Sequence, residues 1–227
     1  MKFNLFILLF FSAALGFSQS DDMTVTTASF SEVKVYDGLS VTIKKGPINE
    51  LKITGEDPKN VVILNEKGVL KIRMKFKKMF SGYRTFVTLS HSSSYVLLDA
   101  NEESSIEVLY AISQPILEIK TQEGAQITAD LKLEQLIVKA VSGGLVSTKG
   151  SAKIQDVSIN TGGIYQGQNL MSSFTTIDVN AGGKASINAR DYVGATVKAG
   201  GSIKVFGDPK KMDEKTFFGG VIARVNN

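Results

Sequence analysis

The sequence predicts an all-β fold, a parallel β-helix in which coils of about 19 residues stack along one axis. One observation is a glycine that recurs at nearly constant spacing through the second half of the 227-residue chain. Another is the alternation of apolar and polar residues on both sides of each glycine, which is typical of strands. The recurring glycines are Gly124, Gly143, Gly162, Gly182, Gly200 and Gly219, at steps of 19, 19, 20, 18 and 19 residues.

The alternation places three mostly apolar columns at fixed distances from the recurring glycine. Five residues before it stand Ile119, Val138, Val157, Ile177 and Ala195, and three before it stand Thr121, Ala140, Ile159, Val179 and Val197. Three residues after it stand Ile127, Val146, Tyr165, Ala185 and Ile203. A period of two on each side predicts two short strands that meet at a corner, with these columns inside the coil.

A second glycine follows the recurring glycine in five coils, at Gly144, Gly163, Gly183, Gly201 and Gly220. Glycine tolerates positive φ and has no Cβ, so the pair predicts a tight corner where successive coils approach closely. Strands one coil apart are expected to pair in parallel at about 4.8 Å. A helical fold is disfavoured because the glycine pairs would interrupt every helix. The strong preference of parallel crossovers predicts a right-handed coil.

Less regular strands precede the repeats. Residues 97–108 align with the repeat as one coil, with Glu103 at its corner, and residues 33–43 alternate around Asp37 and Gly38. The alternating residues Leu70, Ile72, Met74 and Phe76 share the predicted inner side of another strand. These strands are expected to form opening coils or a cap over the exposed end of the stack.

The chain is expected to end in a partial coil. Residues 216–225 repeat the corner pattern, with a glycine pair between two apolar stretches. The lysine-rich residues 207–215 are expected to form a loop that leads into this last coil.

Residues 1–20 have the layout of a secretory signal peptide: an early lysine, a short apolar run and small residues near the end. Cleavage is expected after Ser18 or Ser20. Residues 21–227 then form a single domain that is exported to the periplasm, the extracellular space or the cell surface. No later segment reaches the length of a membrane span.

The amino-acid composition excludes several classes of function. The chain has 26 basic and 22 acidic residues, a net charge of +4, which is too weak a surplus for a nucleic-acid-binding footprint. It has no cysteine, which excludes disulfides, thiol catalysis and zinc sites built on cysteine.

The chain resembles the head GIN domain family of autotransporter adhesins, which occurs mostly in exported proteins of Bacteroidetes. The resemblance rests on FSEVKVYDGLSVTIKKG, LKITGEDPKNVV, GVLKIRMK and the repeated blocks that end in Gly-Gly, and it covers roughly residues 30–225. It implies a right-handed parallel β-helix and an adhesive role by analogy. It implies no catalytic residue set.

Residues that could carry chemistry are few. His91 is the only histidine and is expected at the surface or in a turn where its strand ends, and no glycines of a nucleophile elbow surround the nearby serines. No metal site or cofactor is expected, because no carboxylates are spaced around this histidine. The alternative function is a polysaccharide hydrolase or lyase, for which Glu103 and Glu123 at adjacent corners are the best acid pair. A solvated acidic corner is favoured over such a pair.

Two surfaces are predicted to bind a ligand. The first is a basic and aromatic loop with Lys75, Lys77, Lys78, Phe80, Tyr83 and Arg84, which would suit an anionic glycan. The second is a flat polar face with Asn160 and Asn180, flanked by Lys120, Lys139 and Lys198, which would suit hydrogen bonding to sugars. The leading hypothesis is a non-catalytic interaction protein that binds a glycan or another cell-envelope component. Pairing of the coil ends with another chain is a third possibility.

Overall fold

The computed structural model describes residues 22–225, and the predicted signal peptide with both cleavage sites lies outside this range. Within the range, sixteen strands belong to one hydrogen-bonded sheet. The strands are β1 (Met23–Thr26), β2 (Glu32–Val35), β3 (Ser40–Lys45), β4 (Glu50–Gly55), β5 (Val61–Glu66), β6 (Val69–Met74), β7 (Thr85–His91), β8 (Leu97–Ala100), β9 (Ser105–Thr121), β10 (Gln126–Ala140), β11 (Leu145–Ile159), β12 (Ile164–Asn180), β13 (Lys184–Lys198), β14 (Ser202–Phe206), β15 (Lys211–Phe217) and β16 (Val221–Arg224). Short 3-10 turns lie at Pro58–Asn60 and Phe76–Lys78. No helix between residues 22 and 225 has the length and apolar character needed to cross a membrane.

The long strands β9 to β13 form the regular part of the stack. Each pairs in parallel with the next, one coil later, so that Val138 of β10 lies beside Ile119 of β9 and Val157 of β11. All fifteen residues of the three predicted columns are buried. The predicted parallel β-helix is therefore confirmed, with about seven turns of roughly 19 residues each.

The glycine corner is a tight turn in which two successive residues have positive φ. In the third repeat these are Thr161 (φ 47°) and Gly162 (φ 71°), and a Cβ at Gly162 would meet nothing within 4 Å. The second glycine of the pair, Gly163, has a different role: a Cβ there would lie 2.3 Å from the carbonyl oxygen of Ala140 in the preceding coil. The first glycine therefore meets a conformational requirement, and the second permits close approach of two coils.

The first coil of the chain lies inside the stack rather than at its end. β2 pairs in parallel with both β6 and β8, and β3 pairs in parallel with both β7 and β9. The coil of β2 and β3 is thus enclosed between the coil of β6 and β7 and the coil that begins with β8. The predicted opening coils are present, but in a spatial order that differs from their order in the sequence.

Antiparallel strands cover the outer side of these opening coils. β4 pairs with β7, β1 pairs with β4, and β5 pairs with β6, all antiparallel. An open edge of a parallel ladder would expose unpaired backbone groups to other chains. The predicted strands thus form opening coils, and the cap is formed by β1, β4 and β5, which were not predicted.

Two local predictions are wrong. The predicted loop over residues 207–215 is a strand from Lys211 onward, because β15 pairs in parallel with β13. The side chains of β15 are mostly exposed, so the strand lacks the apolar alternation that marks the others. The inward placement of Phe76 is also wrong: the chain leaves β6 after Met74, and Phe76 begins a 3-10 turn with 83% of its surface exposed.

A polar cluster around Tyr165 lies inside the stack. The Tyr165 hydroxyl is hydrogen bonded to the Thr148 hydroxyl (2.8 Å) and accepts a bond from the Gln155 amide. The Thr175 hydroxyl donates in turn to Gln155 Oε1 (3.1 Å). Gly167 makes room for the ring, since a Cβ there would lie 2.4 Å from it. Because its buried groups are partnered, the cluster is a structural feature of the core.

Candidate functional site

The predicted binding loop, residues 75–84, is exposed at every residue except Gly82. It connects β6 to β7 and carries four large apolar or aromatic side chains on the surface. Phe76 is 83% exposed, Phe80 55%, Tyr83 51% and Met79 40%. We call the segment 75–84, which presents these four side chains, the aromatic loop. Such a concentration of apolar surface is uncommon on a soluble protein and marks interaction sites.

The aromatic loop is held to the core by Asp37, at the corner between β2 and β3. The buried carboxylate of Asp37 accepts backbone N–H bonds from Met74 (3.0 Å) and Phe80 (3.1 Å). The Asp37 carbonyl accepts a further N–H bond from Gly82 (2.9 Å). The Tyr83 hydroxyl donates to Glu103 Oε2 (2.7 Å). The loop is therefore fixed in place although it is exposed.

Most of the cations predicted for this loop are already partnered. Lys78 pairs with Asp57 (3.3 Å), Arg84 pairs with Glu56 (2.8 Å), and the Lys75 amine donates to a backbone carbonyl (2.7 Å). The loop therefore presents an aromatic surface with partly neutralised charge rather than a free basic patch.

The predicted polar face with Asn160 and Asn180 lies beside the glycine corner, and both side chains are half-buried. Their backbone carbonyls accept N–H bonds from the second glycine of each pair, and the Asn160 amide donates to the Ser158 hydroxyl (3.4 Å). The two asparagines lie on consecutive coils, as predicted. Their positions make them part of the corner as well as of the surface.

The lysines of the same face form ion pairs with nearby acidic residues. Lys120 and Lys139 both bind Glu118, at 3.2 and 3.0 Å, and Lys198 lies 3.9 Å from Asp178. Burial opposes ionisation of Glu118, but the hydrogen bonds from the two lysines lower its pKa overall. The face neutralises its own charge and offers little attraction to an ionic ligand.

Two carboxylates of the acidic corner take part in hydrogen bonds that hold the fold together. Glu103 accepts the bond from Tyr83, and Glu102 accepts the backbone N–H of Asp37 (3.2 Å). Burial and then the charge of Asp37 raise the pKa of Glu102. Glu102, Glu103 and Glu123 all have positive φ, which places them in the turns of the first two corners. No group of three histidines or carboxylates within residues 22–225 could hold a metal ion.

The expectation that His91 lies at the surface is wrong. His91 does end β7, but it is only 3% exposed and packs among Phe30, Tyr95 and Tyr110. Its Nε2 is hydrogen bonded to the Tyr110 hydroxyl (2.8 Å), and its Nδ1 is buried without a partner among the described residues. Burial, and then the charge of Lys45, lower the pKa of His91.

A groove on the opposite side of the coil from the glycine corner was not predicted. The parallel ladders skip Pro115, Glu134, Lys153 and Ser173, and the chain bends there. The bend leaves an open groove of about 550 Å³ that crosses β9 to β13. We call it the bend groove. It is lined by Ser113–Pro115, Lys132–Glu134, Ser151–Lys153, Met171–Ser173 and Arg190.

Residues at a fixed distance from the recurring glycine mark this groove in the sequence. Eleven residues before the recurring glycine stand Ser113, Lys132, Ser151 and Met171, and all four are exposed neighbours on consecutive strands. These positions lie far from the glycine in the sequence, where no apolar column marks them.

The sequence matches the profile of a family described as "Putative auto-transporter adhesin, head GIN domain" over residues 29–209. The match spans most of the chain and includes the aromatic loop, the bend groove and the glycine corners from Gly124 to Gly200. No curated protein matches the sequence.

Solved structures of three bacterial proteins share the fold. A putative adhesin from Bacteroides fragilis superposes with a TM-score of 0.83 at 17% identity, covering 92% of this chain and 98% of that one. A putative adhesin from Parabacteroides distasonis gives 0.73 at 17% identity with the same coverage. A protein from the same species described as a putative lipid binding protein gives 0.69 at 16% identity, covering 93% and 98%. At these identities the likeness supports the fold.

Proposed function

The chain belongs to the head GIN domain family named for auto-transporter adhesins, and from that premise we propose that it is an exported interaction protein that acts without catalysis. Its ligand is a glycan or another component of the cell envelope. Its place is the periplasm or the cell surface.

The observation that carries this proposal is the aromatic loop. Exposed aromatic side chains contribute much of the binding energy in interfaces when they are buried by a partner. Here they are presented by a loop that three backbone hydrogen bonds to Asp37 fix to the core. A loop that is already ordered loses less conformational entropy on binding, so the arrangement favours recognition.

Binding to envelope material tests the proposal. The purified protein is expected to bind at least one fraction of an envelope extract from the native cell, or one member of an array of envelope polymers and lipid vesicles. The double variant Phe76→Ser, Phe80→Ser should bind at least tenfold more weakly, because it removes most of the exposed apolar surface of the loop.

The matched control is Phe218→Ser, in the last coil of the described chain. Phe218 is 95% exposed, so this variant lowers surface hydrophobicity far from the loop. It should bind as the wild type does. If the loop variant binds as tightly as the wild type, the loop is not part of the interface. If the wild type binds no envelope component, the interaction role is wrong.

Incubation with a panel of bacterial and plant polysaccharides tests the absence of catalysis. No products are expected, because Glu103 and Glu102 are engaged in hydrogen bonds that organise the first corner. Products that disappear in the variant Glu103→Gln, Glu123→Gln would show that the protein is an enzyme.

A further inference from the structure

The bend groove continues into a second cavity. This cavity, of about 260 Å³, is lined by Lys45, His91, Tyr110 and the serines of residues 92–94. The two cavities share Ser113 and Gln114. The two cavities are therefore neighbours, and we treat them as one surface that extends from the opening coils to β13. We call it the axial channel.

The lining of the axial channel carries a net positive charge. Its lining includes the cations Lys45, Lys132, Lys153 and Arg190 and one acid, Glu134, so its charge is four minus one, or +3. The whole chain has a net charge of +4. The lining is therefore basic, although the chain as a whole has only a small surplus of cations.

Three of these cations are available to a ligand. Lys45, Lys132 and Lys153 form no ion pair with any residue between 22 and 225, whereas Arg190 pairs with Asp191 (3.1 Å). Lys45 lies over the ring of Tyr110, 5.1 Å from its centre. On β9 to β11 the lysines outside the channel are ion paired, such as Lys149, which lies 3.6 Å from Asp130. Within these three strands the unpaired lysines therefore lie only along the channel.

The channel also offers hydrogen-bonding groups beside the cations. Hydroxyl groups along it belong to Ser92, Ser93, Ser94, Ser113, Ser151 and Ser173. At one end lies His91, a buried polar side chain whose Nδ1 has no partner within the described residues. Unsatisfied buried polar atoms are rare in proteins and are satisfied when a ligand or water supplies a partner.

The arrangement of the cations indicates a polymer rather than a small ion. Lys132 and Lys153 lie on adjacent coils, which are separated by about 4.8 Å, and the groove crosses five coils, a length of about 19 Å between the first and the last. The cations are therefore spread in a row instead of converging on one point. Aromatic platforms for stacked bases are few along the groove, which disfavours single-stranded nucleic acid.

We propose that the axial channel binds a single strand of an acidic polysaccharide, whose regularly spaced carboxylate or sulfate groups meet Lys45, Lys132 and Lys153 in turn. Hydroxyl groups of the sugars are hydrogen bonded by the channel serines. The site is separate from the aromatic loop. This proposal depends on the proposed function in one respect: the protein must be exported to a place where it meets envelope or extracellular polymers.

Binding of three polymers to the purified protein tests this site. The probes are polygalacturonate for carboxylate groups, dextran sulfate for sulfate groups and neutral dextran. At least one acidic polymer should bind, neutral dextran should not, and affinity should fall as salt is raised. The variant Lys132→Gln, Lys153→Gln should lose at least tenfold in affinity for the acidic polymer.

The matched control is Lys149→Gln, Lys204→Gln, which removes the same charge from exposed positions of the repeats outside the channel. The affinity of this variant for the acidic polymer should fall less than twofold. An equal loss in both variants would mean that net charge alone attracts the polymer and would overturn the site. Binding of neutral dextran, or of single-stranded DNA as tightly as of the acidic polymer, would also overturn the ligand class.

The two proposals fail in different ways. The loop variant Phe76→Ser, Phe80→Ser should retain polymer binding, since the aromatic loop does not line the channel. If no acidic polymer binds while an envelope fraction does, the channel proposal is wrong and the interaction role stands.

Discussion

Tyr165 and His91 are both polar side chains inside the core, but their surroundings differ. Tyr165 lies within the regular coils, where Thr148 and Gln155 satisfy its hydroxyl. His91 lies at the junction with the opening coils, where only one ring nitrogen has a partner among the described residues. Adding a proton to His91 would place a charge in a buried aromatic setting near Lys45, which is costly.

We predict that the protein loses stability as the pH falls below about 6.5, the ordinary pKa of histidine. His91 has a lowered pKa in the folded state, so the unfolded state takes up the proton first and the free energy of unfolding decreases. Urea midpoints measured between pH 7.5 and 5 should decrease for the wild type and much less for His91→Phe.

Carboxylates do not account for this dependence. Glu118 has a lowered pKa, so its contribution is lost in more acidic solution, below the chosen window. Glu102 has a raised pKa, so its protonation favours the folded state in acid, the opposite sign. If His91→Phe loses stability over the same window as the wild type, His91 is not the titrating group.

The glycine corner is the element that repeats, and its two glycines are constrained in different ways. The residue at the first position has positive φ in every repeat, and in the first coil that residue is Glu103 (φ 57°). A side chain is therefore tolerated there at a cost in backbone strain. The second position faces the preceding coil at Gly163, where no space for a Cβ exists.

We predict that Gly162→Ala lowers the free energy of unfolding by about 1 kcal/mol, the usual penalty for a residue with a side chain in the left-handed conformation. Gly163→Ala should cost more, about 3 kcal/mol, because its Cβ would push against the backbone of Ala140 and separate two coils. Gly162→Asn should cost less than Gly162→Ala, since asparagine accepts positive φ. Chemical denaturation of the three variants measures the order, and equal costs for Gly162→Ala and Gly163→Ala would contradict this division of roles.

The elements that could be predicted from the sequence are those that repeat. The buried columns of Ile119, Val138 and Val157 follow from local alternation and a constant period, and the structure confirms them. Phe76 continued the same alternation, but the chain turns away after Met74. β15 was missed because it has one described parallel neighbour, β13, and mostly exposed side chains, so no apolar pattern marks it.

On the scale of the whole molecule, the stack has two different ends. Antiparallel strands cover the opening coils, while the last described coil, β15 and β16, follows β13 and β14 on one side only. Stability in such a stack is roughly a sum of contributions from coils and from the contacts between neighbours. Coils with two neighbours are therefore expected to be more stable than the last one.

We predict that amide hydrogen exchange is slowest in β10 to β12 and at least a hundredfold faster in β16. Local opening of a terminal coil breaks one interface, whereas opening a central coil breaks two. Hydrogen exchange with mass spectrometry resolves these segments. Uniform protection along the whole stack would indicate that the molecule opens as a single unit.

The candidate sites were predictable only in part, because they depend on contacts between distant segments. Exposed Phe80 and Tyr83 of the aromatic loop were predicted from composition, but exposed Phe76 was not, and the support of the loop by Asp37 depends on residues some forty positions apart. The burial of His91 depends on Phe30 and Tyr110, which local sequence does not bring together. The axial channel unites lysines from the opening coils and from the repeats, and only the bend in the coils shows that they share a surface.

The nearly constant length of the coils has an evolutionary consequence. Because Val138 of one coil occupies the same place as Val157 of the next, a segment of one full period could be duplicated or deleted without disturbing the strands on either side. Insertions of other lengths would shift inner residues to the outside. The coil of 20 residues between Gly162 and Gly182 accommodates its extra residue at a bulge between Gln166 and Asn169, away from the corner. Relatives of different length should therefore differ by whole coils, and changes of a residue or two should collect at such bulges.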